Sequence, residues 1–199
     1  MTIKMSGGIM ASSIGGGASS NYERVEADFY PTPADCTIAL LTWFGESFPR
    51  EVWEPACGDG AISRVLEAHG FTVWSSDLHD RGYGRSGVDF LAMDVRHPVV
   101  TNPPFSLAEE FIRKAREADQ PFAMLLKATY WNTTGRRALF HETGPYAVLP
   151  LTWRPNFVPA RGKSPTMDVG WTVWAARPVE TCLYAPLPRP AQERISHAR

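Results

Sequence analysis

Short apolar runs alternate along this chain with stretches whose apolar positions recur every three or four residues. Strands therefore exchange with amphipathic helices, and the fold class is α/β. A helix is predicted from Thr32 as N-cap to about Trp43. Pro33 takes its first position, Asp35 completes a capping box, and Ile38, Leu40 and Leu41 are apolar. Glu51-Val52-Trp53 reads as a strand opening into Gly58-Asp59-Gly60. A helix follows with Ile62, Val65 and Leu66 on one face, closed by Gly70. Phe71 to Trp74 is a second strand, ending at Ser76-Asp77-Leu78, and Val88 to Leu91 is a third. Val99 to Thr101 is a fourth and stops at Pro103-Pro104. Ser106 then starts a helix reaching Ala118, with Glu109 completing its capping box. Pro121 to Lys127, Tyr146 to Leu149 and Trp171 to Trp174 complete the strands.

Composition sets the outer limits. Residues 1–21 are rich in Gly, Ser and Met without periodicity and read as a flexible tail. A single domain is expected over 22–186, followed by a second flexible tail over 187–199. Three cysteines, with no Cys-x-x-Cys spacing, argue against a disulfide scaffold and a zinc site; no metal site is expected. No apolar run reaches membrane-spanning length, which points to a cytoplasmic protein without a membrane partner. The net charge of −1 conceals a gradient. Up to Glu110 there are 15 acidic and 7 basic residues, a net of −8; beyond it there are 6 and 13, a net of +7. Such a basic half suits a polyanion, and equally a solvated face with scattered arginines.

Two stretches carry chemistry. The strand, glycine turn, helix and second strand from Glu51 to Asp77 form one βαβ unit. Its glycines admit a ligand to the backbone, and an acid stands where ribose hydroxyls would lie. The turn lacks the dinucleotide fingerprint, since position 63 is Ser, and Glu54 and Asp59 would repel a pyrophosphate. A phosphate-free, cationic cofactor suits it better, and S-adenosylmethionine is that cofactor. Asp89 is positioned to accept from an adenine amino group, with Phe90 as an apolar wall. The second stretch is Asn102-Pro103-Pro104-Phe105 at a strand's carboxyl end, where open α/β sheets bind ligands. The Asn102 oxygen and the Pro103 carbonyl are two acceptors suited to one planar amine, and Phe105 offers a stacking face. A Pro-Pro turn whose Asn bonds its own backbone would look the same in isolation. Trp131, Arg136, Arg137, Arg154, Phe157, Arg161 and Lys163 interleave cations and rings, as a nucleic-acid surface does and as core aromatics beside surface arginines also do.

With these residues assembled, the chain resembles the S-adenosylmethionine-dependent DNA N6-adenine methyltransferases, most of all short phage-type members without a target-recognition domain. The resemblance runs from about Asp28 to Trp174. It is strongest at Glu54-Pro55-Ala56-Cys57-Gly58-Asp59-Gly60 and at Asn102-Pro103-Pro104-Phe105, which matches the family's catalytic tetrapeptide in full. It implies a Rossmann-like class I methyltransferase fold, with a seven-stranded, mostly parallel sheet, one antiparallel strand and helices on both faces. It also implies DNA, duplex or single-stranded, as partner, low or short sequence specificity, and a bacterial or phage-infected cytoplasm. Tyr30, Thr32 and Pro33 would follow the methionine part of the cofactor, and Glu54 to Gly60 its centre. Asp77 and Leu78 would hold the ribose, Asp89 and Phe90 the adenine. Asn102, Pro103, Pro104 and Phe105 would carry catalysis, Asn102 also bordering the cofactor. An RNA adenine or a protein glutamine amide fits the same tetrapeptide, and a non-catalytic S-adenosylmethionine-binding module fits the cofactor turn.

Overall fold

The computed structural model describes residues 30–157 and 167–191. Its helices are α1 (Ala34–Phe44), α2 (Ala61–Ala68), α3 (Ala108–Arg116) and α4 (Arg137–Thr143). Its strands are β1 (Glu51–Glu54), β2 (Thr72–Ser75), β3 (Val99–Thr101), β4 (Phe122–Lys127), β5 (Ala147–Pro150), β6 (Val169–Trp174) and β7 (Leu183–Tyr184). They form one sheet in the order β2-β1-β3-β4-β6-β5-β7, in which only β6 runs against its neighbours.

Burial explains this arrangement. Strand β4 is buried on both faces up to its last residue, as an internal strand between two helical layers must be. Ala123 and Leu125 meet Leu40, Ile62 and Leu66 beneath α1 and α2, while Phe122, Met124 and Leu126 meet Phe111, Ile112 and Leu139 beneath α3 and α4. Two tryptophans on β6 tie the layers to the sheet. Trp171 Nε1 donates to the Cys36 carbonyl of α1 at 2.8 Å, and Trp174 Nε1 donates to Thr143 Oγ1 of α4 at 3.2 Å. The chain leaves β1 for β2 on one side and β3 for β4 on the other. The carboxyl ends of β1 and β3 therefore flank the crevice where such sheets bind ligands.

The structure corrects several local expectations. Val88 to Leu91 is not a strand; Phe90–Ala92 is a 3-10 turn capped by Asp89, whose Oδ1 accepts from Leu91 N at 3.0 Å. The seventh strand is β7, which the sequence pattern does not announce, and the central strand is accordingly β3. Pro33, not Thr32, precedes α1, and no side chain caps it; Asp35 instead accepts from Trp153 and Arg189. Ser106 and Glu109 form no capping box, because a 3-10 turn over Phe105–Leu107 intervenes before α3. Helix α4 lies in a stretch to which the sequence pattern assigns no element. Leu187 is buried, its N–H donating to the Pro150 carbonyl at 2.8 Å, and Arg189 pairs with Asp35 at 2.9 Å. The expected tail at 1–21, and residues 192–199 of the other, lie outside the described residues.

Replacing Trp171 by Phe keeps a smaller aromatic ring but removes the indole donor to the buried Cys36 carbonyl. Urea unfolding is expected to show a loss of about 1–3 kcal/mol; an unchanged midpoint would mean that this bond does not hold α1 to the sheet.

Candidate active site

A cavity of about 420 Å³ opens at the carboxyl ends of β1 and β3. Its floor is the turn after β1. Gly58, at φ 56°, donates its N–H to Asp77 Oδ2 at 2.9 Å, and His79 N–H meets Asp77 Oδ1 at 2.9 Å. One carboxylate thus fixes both turns beside the cavity while lining it. Asp59 Oδ1 accepts from Ala61 N at 3.2 Å, at the start of α2. Gly60, at φ 85°, lies outside the lining, and a Cβ there would come within 2.6 Å of the Tyr83 ring.

Glu54, the last residue of β1, is 1% exposed and accepts a hydrogen bond from Ser63, whose hydroxyl also meets Ser75 Oγ at 2.6 Å. Burial holds its carboxyl well above the ordinary value of 4.5; the Ser63 bond opposes this, and Asp59 and Asp77 add to it. The Cys57 thiol is pushed up to about 12 by burial and by the neighbouring carboxylates. It stays protonated at neutral pH and is no nucleophile.

At the tip of β3, Asn102 is oriented by chemistry rather than by fit alone. Its Nδ2 donates to Thr32 Oγ1 at 3.0 Å and to the Tyr30 carbonyl at 3.4 Å. A carbonyl only accepts, so the amide nitrogen must face it. The other end of the amide, Oδ1, is buried without a partner among the described residues. Beside it Tyr30 and Phe105 stack with centroids 6.2 Å apart, Phe157 stands edge-on to Tyr30 at 6.4 Å, and Lys127 Nζ lies 5.0 Å from the Phe105 centroid.

Most of the expected cofactor residues converge. Tyr30, Thr32, Glu54, Pro55, Ala56, Cys57, Gly58, Asp77, Leu78, Asp89, Phe90 and Asn102 line this one cavity; Pro33 and Gly60 do not. Of the tetrapeptide, Asn102 and Pro104 reach the cavity, Pro103 is buried, and Phe105 faces Tyr30 instead. Pro31, His79, Arg81 and Leu107 also line it without having been singled out; His79 and Arg81 had the signal of following Asp77 directly. The expected nucleic-acid residues are not gathered. Trp131 packs on the α3–α4 face, its Nε1 bonded to Thr172 at 3.1 Å, whereas Phe157 is buried on the α1–α2 face. Arg136 lies 3.9 Å over the Tyr130 ring, Arg154 pairs with Asp168 at 2.8 Å, and Arg137 begins α4, exposed. Arg161 and Lys163 lie outside the described residues.

No protein-family model matches the sequence, and no curated protein matches it either. Solved structures do resemble the fold. A Pyrococcus horikoshii protein described as a candidate RNA methyltransferase aligns with a TM-score of 0.59 at 16% identity, over 78% of this chain and 88% of its own. The modification subunit of a candidate type I restriction enzyme from Vibrio vulnificus aligns at 0.58 and 14%, over 82% of this chain. This chain spans 48% of that subunit's length. A Listeria monocytogenes protein described as a candidate class I S-adenosylmethionine-dependent methyltransferase aligns at 0.51 and 15%, over 78% of this chain and 65% of its own. The fold is the Rossmann-like class I methyltransferase fold.

A buried acid with a raised pKa binds its proton more tightly folded than unfolded. Stability therefore falls as pH climbs above about 4.5, until the folded group itself ionises. Glu54→Gln removes the ionisation and keeps an acceptor for Ser63. Urea midpoints of wild type and variant are expected to diverge in the variant's favour between pH 4.5 and pH 8; parallel curves would count against a neutral Glu54.

Proposed function

We propose that this chain transfers a methyl group from S-adenosylmethionine to N6 of adenine in DNA, with low or short sequence specificity. The observation that carries the reading is the half-satisfied Asn102 amide. Its donor end is tied to Thr32 and Tyr30, and its acceptor end is left open at the tip of β3. An acceptor held in this way suits an incoming amine and nothing that only accepts.

The donor set of the cavity fits the cofactor. Glu54, Asp59, Asp77 and Asp89 border one volume against a single arginine, Arg81, an acidic excess that favours a sulfonium and an ammonium over phosphates. Tyr30 and Thr32, with Pro33 beside them, would border the methionine part, Glu54 to Gly60 the centre, Asp77 and Leu78 the ribose, and Asp89 and Phe90 the adenine. Bound there, S-adenosylmethionine supplies an electrophilic methyl group.

The chain's own residues do the rest. Asn102 Oδ1 and the Pro103 carbonyl take the two amine hydrogens, which localises the nitrogen lone pair and aims it. Phe105 stacks on the ring that carries the amine, and the Tyr30–Phe105 pair beside Asn102 favours an aromatic substrate over an aliphatic glutamine amide. Extruding the base from a duplex costs about a few kcal/mol, to be met by such stacking. No side chain must act as a strong base, since the amine can shed its proton to water after methylation. The protonated Cys57 leaves no thiolate for attack on a pyrimidine ring.

With labelled cofactor and adenine-containing DNA, Asn102→Ala is expected to lower the rate by about 10²–10³-fold or more while cofactor binding persists. Thr32→Val, which frees one hydrogen of the Asn102 amide, should give a smaller loss of kcat. Full activity in Asn102→Ala would remove this residue from the chemistry. A digest of the modified DNA should release N6-methyladenine; label recovered only in RNA or on a glutamine amide would overturn the substrate.

A further inference from the structure

Part of the basic excess of the second half is spent in ion pairs. Arg113 is held by Glu109 and Glu142, Lys114 by Glu117, Arg154 by Asp168 and Arg189 by Asp35. Arg116 is turned inward, with Nη1 donating to the Ala175 and Ala176 carbonyls at 2.8 and 3.1 Å. Lys127 differs. It is the exposed last residue of a strand otherwise buried throughout, and among the described residues no carboxylate comes within salt-bridge distance of it. Among the described residues, its side-chain partner is the Phe105 ring.

Its position follows from the sheet. Thr101, the end of β3, pairs with Met124, so β4 continues three residues past that level and carries Lys127 above the tip where Asn102 and Phe105 stand. The site is thus polar in its charge: carboxylates line the cavity, and an ammonium caps the aromatic ring beyond Asn102. A cation resting on a half-buried ring can exchange it for a phosphate oxygen, which makes a charge-assisted hydrogen bond. A base stacked on Phe105 takes the ammonium's place and brings its own phosphodiester with it. A glutamine side chain brings none.

We infer that Lys127 binds the phosphodiester of the target nucleotide and so selects a nucleic acid over a peptide amide as the amine donor. This inference rests on the function proposed above. Lysine suits the task because its flexible stem lets one point charge leave the ring and follow the phosphate.

The test is the salt dependence of binding of a fluorescent adenine-containing oligonucleotide to the full chain, measured by anisotropy for wild type, Lys127→Met and Lys127→Arg. Lys127→Met should weaken binding about tenfold at low salt and reduce the slope of log affinity against log salt by about one. Lys127→Arg should restore the slope, and all three should bind S-adenosylmethionine alike. In turnover, Lys127→Met should raise KM and leave kcat within about twofold. Wild-type binding with an unchanged slope in Lys127→Met would overturn the role of Lys127 alone. A wild type that binds no oligonucleotide, or methylates a glutamine peptide, would overturn the proposed function as well.

Discussion

The site depends on one amide. Thr32 and Tyr30 precede α1, Asn102 ends β3, and 70 residues separate the hydroxyl from the amide it receives. Only the sheet can bring them together: β3 is central, and α1 is fastened to the same sheet through Trp171 and the Cys36 carbonyl. Once Nδ2 is occupied, the amide has no freedom to turn over, and Oδ1 is fixed as an acceptor. A buried acceptor without a partner costs stability in the empty protein, of the order of 1–3 kcal/mol. That cost is recovered when a donor arrives, which places the penalty where it serves binding.

The legible parts of the fold were those fixed within a few residues. The β1–turn–α2–β2 unit and the tip of β3 could be read because glycines, prolines and short β-rich runs determine them locally. Strand β7 could not. It is two residues long and exposed on both faces, and its strand character comes from bonds to β5, such as Leu183 N–H to the Tyr146 carbonyl, rather than from any pattern of its own. Val88 to Leu91 failed in the opposite sense. An apolar run fits a strand, but Asp89 bonds its own backbone two residues on and turns the chain into 3-10 geometry. Thr32 was read as a cap because its hydroxyl stands near a helix start; a residue from 70 positions away takes that hydroxyl instead.

Site residues divided along the same line. Those on the two strand ends converged, while the aromatic and basic residues of the second half did not. A tryptophan beside arginines looks alike in sequence whether it awaits a base or, like Trp131, packs against Tyr130, Phe140 and Trp174 with its N–H already bonded. Charge count misled for a similar reason. The partners of Arg113 and Arg154 come from 29 and 14 residues away, so the pairing that cancels them is a tertiary fact.

The acidic turn gives the remaining logic of the cavity. Glu54 is fully enclosed, and Asp59 and Asp77 each raise the cost of ionising it. Keeping Glu54 buried there costs stability relative to glutamine above about pH 4.5, because burial and the neighbouring acids oppose its ionisation. The cluster is therefore a poor core and a good receptor. A cation entering beside Glu54 favours its ionised form, so binding there is coupled to release of the proton that burial keeps on the carboxyl. Any ligand that stabilises only the folded state in this way deepens that state by mass action. The same reasoning explains why one glycine of the turn approaches the ligand space while the other packs under Tyr83. Gly58 gives its N–H to Asp77 at the cavity wall, and Gly60 lets the chain pass beneath the ring that closes the turn from outside.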